Sequence, residues 1–155
     1  MIFLKTDYGF LVRILHWCTH QAIGSALETM DLTAAQGRIM AYLAHSEEAP
    51  CPRDLEAEFQ LTHPTVSGLL SRLEQKGFIA LKIDPEDRRC KRIYVREKGL
   101  QCHEHMQKTI QENERRLTDG FTQEEKEVFS DLLQRAIRNM GGDPTPRRFK
   151  EEETQ

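Results

Sequence analysis

Residues 61–96 read LTHPTVSGLLSRLEQKGFIALKIDPEDRRCKRIYVR, and this stretch decides the fold. It predicts a helix that begins at Thr62, whose hydroxyl can cap free backbone N–H groups, with Pro64 in the first turn. Gly77 is the residue type that ends helices in the left-handed conformation. Between these signals, four apolar residues recur at helical spacing and form one stripe that faces a core: Val66, Leu69, Leu70 and Leu73.

The opposite face of this helix carries short or polar side chains. Its members are His63, Thr65, Ser67, Gly68, Ser71, Arg72 and Gln75. Short side chains let a helix lie close to the floor of a groove, and a cation on the same face can contact a phosphate. This face is therefore a candidate contact surface for a nucleic acid.

After Gly77 the pattern changes to the two-residue period of a β-strand. Apolar side chains alternate with Ala80 and Lys82, at Ile79, Leu81 and Ile83. The alternation returns at Ile93 and Val95, after a turn at residues 84–87. A capped helix followed by a hairpin predicts a winged helix-turn-helix, in which the hairpin is the wing.

Charge distinguishes this region from the rest of the chain. Residues 62–98 contain nine Lys and Arg against five Asp and Glu, a net charge of +4. The whole chain has 22 basic and 25 acidic residues, which leaves −7 outside this region. A basic face on an acidic body can still dock phosphates and orient the protein. A solvated hairpin with ordinary surface charge is the alternative, but it leaves the agreement between helix polarity and wing basicity unexplained.

The sequence resembles the MarR family of bacterial transcriptional regulators from about residue 5 to about residue 140. The segments that carry the resemblance occur in the family's order and spacing: Leu32-Thr33-Ala34-Ala35-Gln36, Asp54-Leu55, Thr65-Val66-Ser67, RLEQKGFI at 72–79, DPEDRR at 84–89 and Glu97-Lys98-Gly99. The resemblance implies a triangular dimer that binds DNA. Two features depart from the pattern: Arg96 stands where a threonine usually caps the next helix, and Gly68 with Ser71 leaves few long side chains to read bases.

The patterns along the 155-residue chain predict a mainly α (α+β) protein with six helices. Residues 31–97 form the winged helix-turn-helix lobe with its small antiparallel hairpin. Residues 1–30 and 98–140 form a helical dimerisation region of long N- and C-terminal helices. Residues 141–155, GGDPTPRRFKEEETQ, are predicted to be a disordered tail because glycine, proline and charge dominate them.

The long helices outside the lobe have more apolar surface than the lobe can cover. The first helix, at about residues 7–29, has a stripe of Leu11, Ile14, Leu15, Cys18, Ala22 and Ala26. The fifth, at about 98–119, has a sparse seam of Leu100, Met106, Ile110 and Leu117. The last, capped by Thr122, has Val128, Phe129, Leu132, Leu133, Ala136, Ile137 and Met140. Two-fold pairing would place two recognition helices about 34–36 Å apart, which predicts a pseudo-palindromic operator. The alternative is that these helices fold back on their own chain.

Each predicted contact residue has an expected role on DNA. The residues that face base edges in the major groove are Thr65, Ser67, Gly68 and Ser71. Those placed for phosphates are His63, Arg72 and Lys76. The cations of the wing are Arg88, Arg89 and Lys91. The resemblance implies that a wing arginine enters the minor groove while an aspartate two residues earlier steadies the loop, which matches Asp87 and Arg89. A surface ion pair is the alternative for those two residues.

The resemblance also implies a small aromatic-acid effector, with no cofactor required. The candidate lining of its pocket is the early part of the fifth helix together with His16, Trp17, His20 and Tyr42. The alternative is that Trp17 and Tyr42 belong to the hydrophobic core.

The cysteines and histidines offer two other ways to sense a signal. Cys18 and Cys51 are candidates for thiol-redox sensing, because Cys51 precedes a helix whose N-terminus stabilises a thiolate. Core packing of Cys18 and helix capping by Cys51 are the alternatives. A zinc sensor would draw on His16 and His20 and on residues 102–105, CHEH. Successive helical residues diverge by about 100°, so surface histidines are the preferred interpretation and no metal site is predicted.

Several classes of function are excluded by what the chain lacks. No apolar run approaches the roughly 20 residues that span a bilayer, and the N-terminus has no signal-peptide layout, so a cytoplasmic protein with no membrane partner is expected. No phosphate-binding glycine loop, nucleophile elbow or HExxH pair suggests an enzyme. The sequence therefore predicts a sequence-specific DNA-binding regulator of transcription, which is expected to repress rather than activate its target genes. The alternative is a winged-helix module that binds protein and has no operator.

Overall fold

The computed structural model describes residues 7–145, which form six helices and one two-stranded antiparallel sheet. The elements are α1 (Tyr8–Thr29), α2 (Ala34–His45), α3 (Pro52–Phe59), α4 (His63–Gln75), β1 (Ile79–Ile83), β2 (Lys91–Val95), α5 (Glu97–Leu117) and α6 (Gln123–Asn139). The chain divides into two compact units, residues 1–110 and 111–155. The predicted fold class, mainly α with a hairpin wing, is confirmed.

Side-chain caps begin several of these helices. The Asp7 carboxylate accepts a hydrogen bond from the Phe10 N–H at 3.0 Å and starts α1. Reciprocal capping boxes start α2, between Thr33 and Gln36, and α6, between Thr122 and Glu125. The capping role predicted for the Thr62 side chain is wrong. Its hydroxyl instead hydrogen-bonds to the Thr65 hydroxyl at 2.9 Å, so no side chain caps the start of α4.

The predicted end of α4 is confirmed at Gly77, where φ is +82°. The Phe78 N–H donates to the Leu73 carbonyl at 3.0 Å, and the Gly77 N–H donates to the Glu74 carbonyl at 2.9 Å. This pair of bonds is a Schellman motif, which satisfies the last carbonyls of the helix. The Glu74 carboxylate also accepts from the Leu81 N–H at 2.8 Å. The end of α4 is therefore tied directly to the first strand of the wing.

The hydrophobic core of the first unit surrounds the inner face of α4. Val66, Leu70 and Leu73 are essentially inaccessible to solvent. They belong to one cluster with residues of α1, α2, α3, both strands and α5, including Leu27, Leu32, Ile39, Leu43, Leu55, Phe78, Ile79, Ile93 and Cys102. The core therefore lies beneath the helix-turn-helix and the base of the wing.

The wing pairs Ile79 with Val95 and Leu81 with Ile93, so its apolar residues face one another in register. The predicted alternation of burial holds only in part. Ala80 is buried beside Ile79, whereas Ile83 is 62% exposed. The reason is that the base of the hairpin is covered on both faces by the core, while its tip extends into solvent.

The predicted apolar seam of α5 is corrected by the structure. Leu100 and Ile110 are largely exposed, and the buried residues of α5 are Gly99 and Cys102. Met106 packs against the same cluster. The spacing of 99, 102 and 106 gives one helical face, but a glycine and a cysteine contribute little to a count of large apolar residues.

Apolar stripes on α1 and α6 are exposed in the single chain. Only Ala26 and Leu27 of α1 are buried, whereas Leu11, Ile14 and Trp17 are exposed. No residue of α6, which is described along its whole length, is buried, and Leu132 is 53% exposed.

The predicted disordered tail lies mostly outside the described residues, because only its first five residues fall within 7–145. Gly141 has a φ of +77°, which ends α6, and residues 142–145 adopt no helix or strand. None of the helices in the described part of the chain combines the length and apolarity needed to cross a membrane.

Gly99 lies where α5 passes close to the start of the wing. A Cβ built on Gly99 would lie 2.6 Å from the Phe78 carbonyl oxygen and 2.6 Å from Val95 Cγ1. We expect Gly99→Ala to lower the free energy of unfolding by about 1–3 kcal/mol, because the added methyl group forces the backbone apart. Urea denaturation followed by circular dichroism would measure the change.

Gly68→Ala is the matched control, since a Cβ at Gly68 would meet nothing within 4 Å. That variant should be unchanged or more stable by up to about 1 kcal/mol, because alanine favours a helix interior. Equal stability of the two variants would contradict the close approach of α5.

Candidate nucleic-acid interface

The outer face of α4 is open to solvent. The exposed residues include those predicted to contact bases and one predicted to contact a phosphate: Thr65, Ser67, Gly68, Ser71 and Arg72. The inner residues of the same helix are fully buried. Because the helix cannot rotate without removing those side chains from the core, the identity of the exposed face is fixed.

Short side chains make this face narrow. A Cβ added at Gly68 would find no other atom within 4 Å, so the space beside the middle of α4 is open. Hydroxyl groups such as those of Ser67 and Ser71 can donate to or accept from base edges, while Arg72 can contact a phosphate. The face is suited to close approach in a wide groove.

Two of the predicted phosphate contacts are engaged within the protein. His63 Nδ1 lies 2.6 Å from a carboxylate oxygen of Glu56 on α3. The Lys76 ammonium lies 3.2 Å from the Asp31 carboxylate and also donates to the Asp31 carbonyl. A phosphate contact by either residue would have to replace these contacts, so both roles stay predictions.

The tip of the wing presents exposed cations at Arg88, Arg89 and Lys91. The Asp87 carboxylate accepts a hydrogen bond from the Arg89 backbone N–H at 3.0 Å. This contact uses the backbone of Arg89 rather than its guanidinium. It orders the loop while the charged end of the side chain stays at the surface.

A buried carboxylate anchors the wing to the rest of the lobe. Asp84 accepts from the Glu86 N–H at 2.9 Å and from Arg92 Nε at 2.7 Å. The Glu86 N–H and then the Arg92 guanidinium hold the pKa of Asp84 below its usual range, so the carboxylate is ionised at neutral pH. Arg92 also donates to the Ala49 carbonyl at 3.1 Å and thereby joins the wing to the segment before α3.

Sequence reasoning missed this anchor. It counted Asp84 only as a turn residue and Arg92 only as a positive charge. An aspartate that precedes proline at the start of a turn was the available signal, because such a side chain commonly accepts from the N–H two residues later. The contact between Arg92 and Ala49 spans 43 residues, and no local pattern indicates it.

A cleft of about 600 Å³ separates α4 from the wing. It brings together residues predicted to contact DNA from both elements, since Ser67 lies on one side and Arg89 and Lys91 on the other. Its lining comprises Cys51, Pro52, Arg53, His63, Ser67, Leu70, Leu81, Asp87, Arg89, Cys90 and Lys91.

A second cavity, of about 290 Å³, lies at the start of α5. Its lining comprises Thr29, Met30, Phe78, Lys98, Gln101, Cys102 and His105. The Lys98 ammonium lies 4.4 Å from the centre of the Phe78 ring and donates to the Lys76 carbonyl at 2.7 Å. The early part of α5 thus lines a cavity with both aromatic and cationic groups.

The four predicted pocket residues line neither of these two cavities. The rings of His16 and His20 on α1 lie 4.2 Å apart between centres and are tilted by 53° to each other, and Trp17 on the same helix is 62% exposed. Tyr42 packs edge-on against Phe59 at 5.8 Å, and its burial followed by the nearby Asp54 carboxylate raises its pKa. Tyr42 therefore packs against the core, whereas the ligand-binding role of the other three stays a prediction.

The four cysteines are reduced and differ in their surroundings. Cys18 is exposed on α1, and Cys102 is buried beneath α5. Cys51 and Cys90 both line the cleft. Sequence reasoning singled out Cys51 but not Cys90, because the two are 39 positions apart and no spacing rule relates them.

The histidine and cysteine clusters do not converge on a metal. In the described range 7–145, no three His, Cys, Asp or Glu side chains have a geometry that could hold an ion. Cys102 points into the core, while His103 packs edge-on against His45 at 5.3 Å. Burial, and then the neighbouring His45, lowers the pKa of His103.

Sequence comparison relates the chain to known regulators. The family model described as MarR family matches residues 30–89. The homoprotocatechuate degradative operon repressor of Escherichia coli is 30% identical over 108 residues, which are 69% of this chain and 72% of that protein. The transcriptional repressor IacR of Pseudomonas putida is 24% identical over 140 residues, which are 89% and 83% of the two chains.

Structural comparison gives the same relationship. The crystal structure of the Staphylococcus aureus MepR–DNA complex superposes with a TM-score of 0.77 at 30% identity and covers 86% of this chain and 99% of that one. Fold, sequence and the exposed basic wing therefore agree, and the chain belongs to the MarR family of transcriptional regulators.

Proposed function

We propose that this protein is an effector-responsive repressor that binds a pseudo-palindromic operator as a homodimer. The observation that carries the proposal is the outer face of α4, where short polar side chains are exposed beside a wing with three exposed cations. The relative crystallised with DNA supports DNA binding by this face. Two curated relatives named as repressors support repression rather than activation.

In this proposal α4 enters the major groove and the wing tip reaches the adjacent minor groove. Ser67 and Ser71 read base edges through their hydroxyls, and Arg72 contacts a phosphate. Arg89 enters the minor groove, whose negative potential attracts a guanidinium. The Asp84–Arg92 anchor holds the wing in place while the loop held by Asp87 presents Arg89.

Arg89→Ala is expected to weaken operator binding at least roughly tenfold, because a minor-groove arginine contributes both charge and shape recognition. Fluorescence anisotropy with DNA from the region upstream of the gene would measure this loss at two salt concentrations, beside an unrelated duplex. The parent should bind its own duplex more tightly and lose affinity steeply as salt rises.

Arg116→Ala is the matched control, since it removes the same charge from α5, outside the basic region of residues 62–98. That variant should bind within about twofold of the parent. Parental binding by Arg89→Ala would contradict the assignment of the wing. Equally weak binding of the parent to both duplexes would favour a protein-interaction module.

The proposed homodimer is supported by apolar surface that the single chain leaves exposed. Leu11 and Ile14 on α1 and Val128 and Leu132 on α6 are all more than two-fifths exposed. Large apolar side chains repeated along a helix face are characteristic of surfaces that pair. A two-fold axis through such helices would present two copies of α4 to successive major grooves.

Leu132→Glu should convert the dimer to a monomer, because a charge would be buried in the apolar interface without a partner. Size-exclusion chromatography with light scattering would report the mass. Ser130→Glu is the control, since it places the same carboxylate off the apolar stripe of α6 and should remain dimeric. A parent that elutes as a monomer, or a Leu132→Glu variant that stays dimeric, would contradict the proposed interface.

A small aromatic acid is the proposed effector, and the cavity at the start of α5 is its proposed site. The volume of about 290 Å³ suits a single substituted ring. Met30 and Phe78 contribute apolar lining, and Lys98 offers a charge for a carboxylate. The relative that represses a homoprotocatechuate degradative operon supports this ligand class, because homoprotocatechuate is a phenylacetic acid. To release DNA, the effector must bind the form of the dimer that does not bind DNA more tightly than the form that does. Changing the ratio of these two forms from 1:99 to 99:1 would require the two affinities for the effector to differ by about 5.5 kcal/mol.

Lys98→Met should weaken the binding of phenylacetate or salicylate by roughly tenfold, because the carboxylate loses its charged partner. Isothermal titration calorimetry without DNA would separate this effect from any change in operator affinity. Lys108→Met is the control, since Lys108 lies on α5 but does not line the cavity. If the parent binds neither acid, or if both variants bind as the parent does, the proposed site is wrong.

A further inference from the structure

Each end of α4 has a basic side chain that is held by a carboxylate from a neighbouring element. At the start of the helix, His63 Nδ1 lies 2.6 Å from a carboxylate oxygen of Glu56 on α3. At its end, the Lys76 ammonium lies 3.2 Å from the carboxylate of Asp31, which lies between α1 and α2. The two ends are roughly 20 Å apart, because α4 has 13 residues. The pairs are therefore separate, and each can be changed without affecting the other.

The pair at the end of α4 places its negative charge on the outside. The Lys76 ammonium also donates to the Asp31 carbonyl, and the Lys76 carbonyl accepts from Lys98 Nζ at 2.7 Å. The Asp31 side chain is 87% exposed, whereas that of Lys76 is 28% exposed. An approaching phosphate therefore meets the carboxylate before it meets the ammonium.

The pair at the start of α4 determines which nitrogen of His63 donates. An ionised carboxylate only accepts hydrogen bonds, so the proton of a neutral His63 lies on Nδ1 and points at Glu56. The other nitrogen, Nε2, then has a lone pair that repels a phosphate oxygen. The His63 side chain is 73% exposed and lines the cleft beside Ser67. It is thus open to DNA but does not donate to a phosphate while it is neutral and paired.

The other cations of the candidate interface are not held in this way. In the described range 7–145, no carboxylate forms an ion pair with the basic side chains in the middle of α4 and at the tip of the wing, which are Arg72, Arg88, Arg89 and Lys91. Arg72 and Lys76 are four positions apart and so lie on one face of the helix, yet of these two only Lys76 is paired. Carboxylates are therefore placed against the two ends of α4 and not along its middle.

We propose that Glu56 and Asp31 are specificity-determining residues, which occupy His63 and Lys76 and thereby keep the affinity for DNA of arbitrary sequence low. This inference rests on the proposed DNA-binding function. Binding to arbitrary DNA comes essentially from phosphate contacts, so a basic side chain that is neutralised within the protein subtracts directly from it. Operator binding also draws on base contacts, such as those proposed for Ser67, and loses a smaller share.

The register of the complex explains why the two kinds of DNA would respond differently. On the operator, base contacts fix the position of α4, and each basic side chain meets whichever phosphate lies there. On arbitrary DNA, the protein is free to shift along the duplex until its cations contact phosphates. Freeing His63 and Lys76 would therefore add more to binding of arbitrary DNA than to operator binding, and the ratio of the two affinities would fall.

Asp31→Asn and Glu56→Gln test the two carboxylates, because each removes one negative charge and keeps the shape of the side chain. Asparagine also tolerates the left-handed conformation of residue 31, where φ is +57°. The contact of Lys76 with the backbone carbonyl of residue 31 does not depend on that side chain. Asp31→Asn thus presents the same ammonium at the end of α4 without the carboxylate that neutralises it.

Glu28→Gln and Glu58→Gln are the matched controls. Glu28 is exposed near the end of α1, three positions before Asp31, and Glu58 is exposed on α3, two positions after Glu56. Neither control carboxylate forms an ion pair within residues 7–145. These variants remove the same charge from nearly the same places, so they measure the general effect of a less acidic protein on DNA affinity.

Fluorescence anisotropy with the full chain would measure affinity for an unrelated duplex and for DNA from the region upstream of the gene, from roughly 50 to 200 mM salt. Circular dichroism would verify that each variant folds. A purely structural role of the pairs predicts a loss of affinity when they are broken. The proposal predicts a gain, so the sign of the change separates the two roles.

Asp31→Asn should bind the unrelated duplex roughly three- to tenfold more tightly than the parent and should steepen the slope of log K against log salt by up to about 0.9, the value for one phosphate contact. Glu56→Gln should bind this duplex roughly threefold more tightly. Operator affinity should rise by less than about twofold, and the controls should stay within about twofold of the parent on both duplexes. Adding Lys76→Met to Asp31→Asn should remove the gain, because it removes the freed cation.

Unchanged or weaker binding of the unrelated duplex by either variant would overturn the proposal, and so would gains of equal size in the controls. An equal gain on both duplexes would also overturn it, because the ratio of the two affinities would be unchanged. A parent that does not prefer the operator would be a failure of the proposed function instead. In that case the unrelated duplex at low salt would still decide whether Asp31 and Glu56 limit the affinity for DNA.

Discussion

The burial of one face of α4 is the constraint on which the rest of the structure depends. Val66, Leu70 and Leu73 fill the centre of the core and belong to the same buried cluster as residues of every neighbouring element of the first unit. Removing any of them would leave a cavity that costs several kcal/mol, roughly 2–5 for a leucine. The exposed face of α4 is therefore fixed by what its other face buries, and the orientation of the proposed DNA contacts follows from hydrophobic packing.

The tip of the wing depends on polar contacts, whereas its base is held by apolar burial. Its tip projects into solvent, so the hydrophobic core holds only the base of the hairpin. Asp84 and Arg92 supply the remaining attachment, because they join the turn, the second strand and the Ala49 carbonyl.

Apolar surface has a different distribution in the terminal helices. Ala26 and Leu27 near the end of α1 are buried, whereas the earlier turns of α1 and the whole of α6 leave large apolar side chains exposed. Such surface is unfavourable in water at about 25 cal/mol per Å² of apolar area. A second copy of the chain would remove it from water without any change in the DNA-binding lobe. The same pairing would set the separation of the two copies of α4, and so would couple dimer geometry to DNA recognition.

Local patterns in the sequence determined the elements of this protein and the face that each presents. The bounds of α4, the hairpin after Gly77 and the basic character of the wing were all predicted, although the Thr62 side chain does not cap the helix, because periodicity, turn residues and charge act within a few residues. Tertiary structure alone decided which residues meet across distance: Arg92 with Ala49, and Lys76 with Asp31. It also decided that Gly99 and Cys102, rather than the larger Leu100, form the buried face of α5. The physical reason is that burial and long-range contacts depend on how elements pack in three dimensions, whereas propensity and periodicity describe only the helix or strand that contains them.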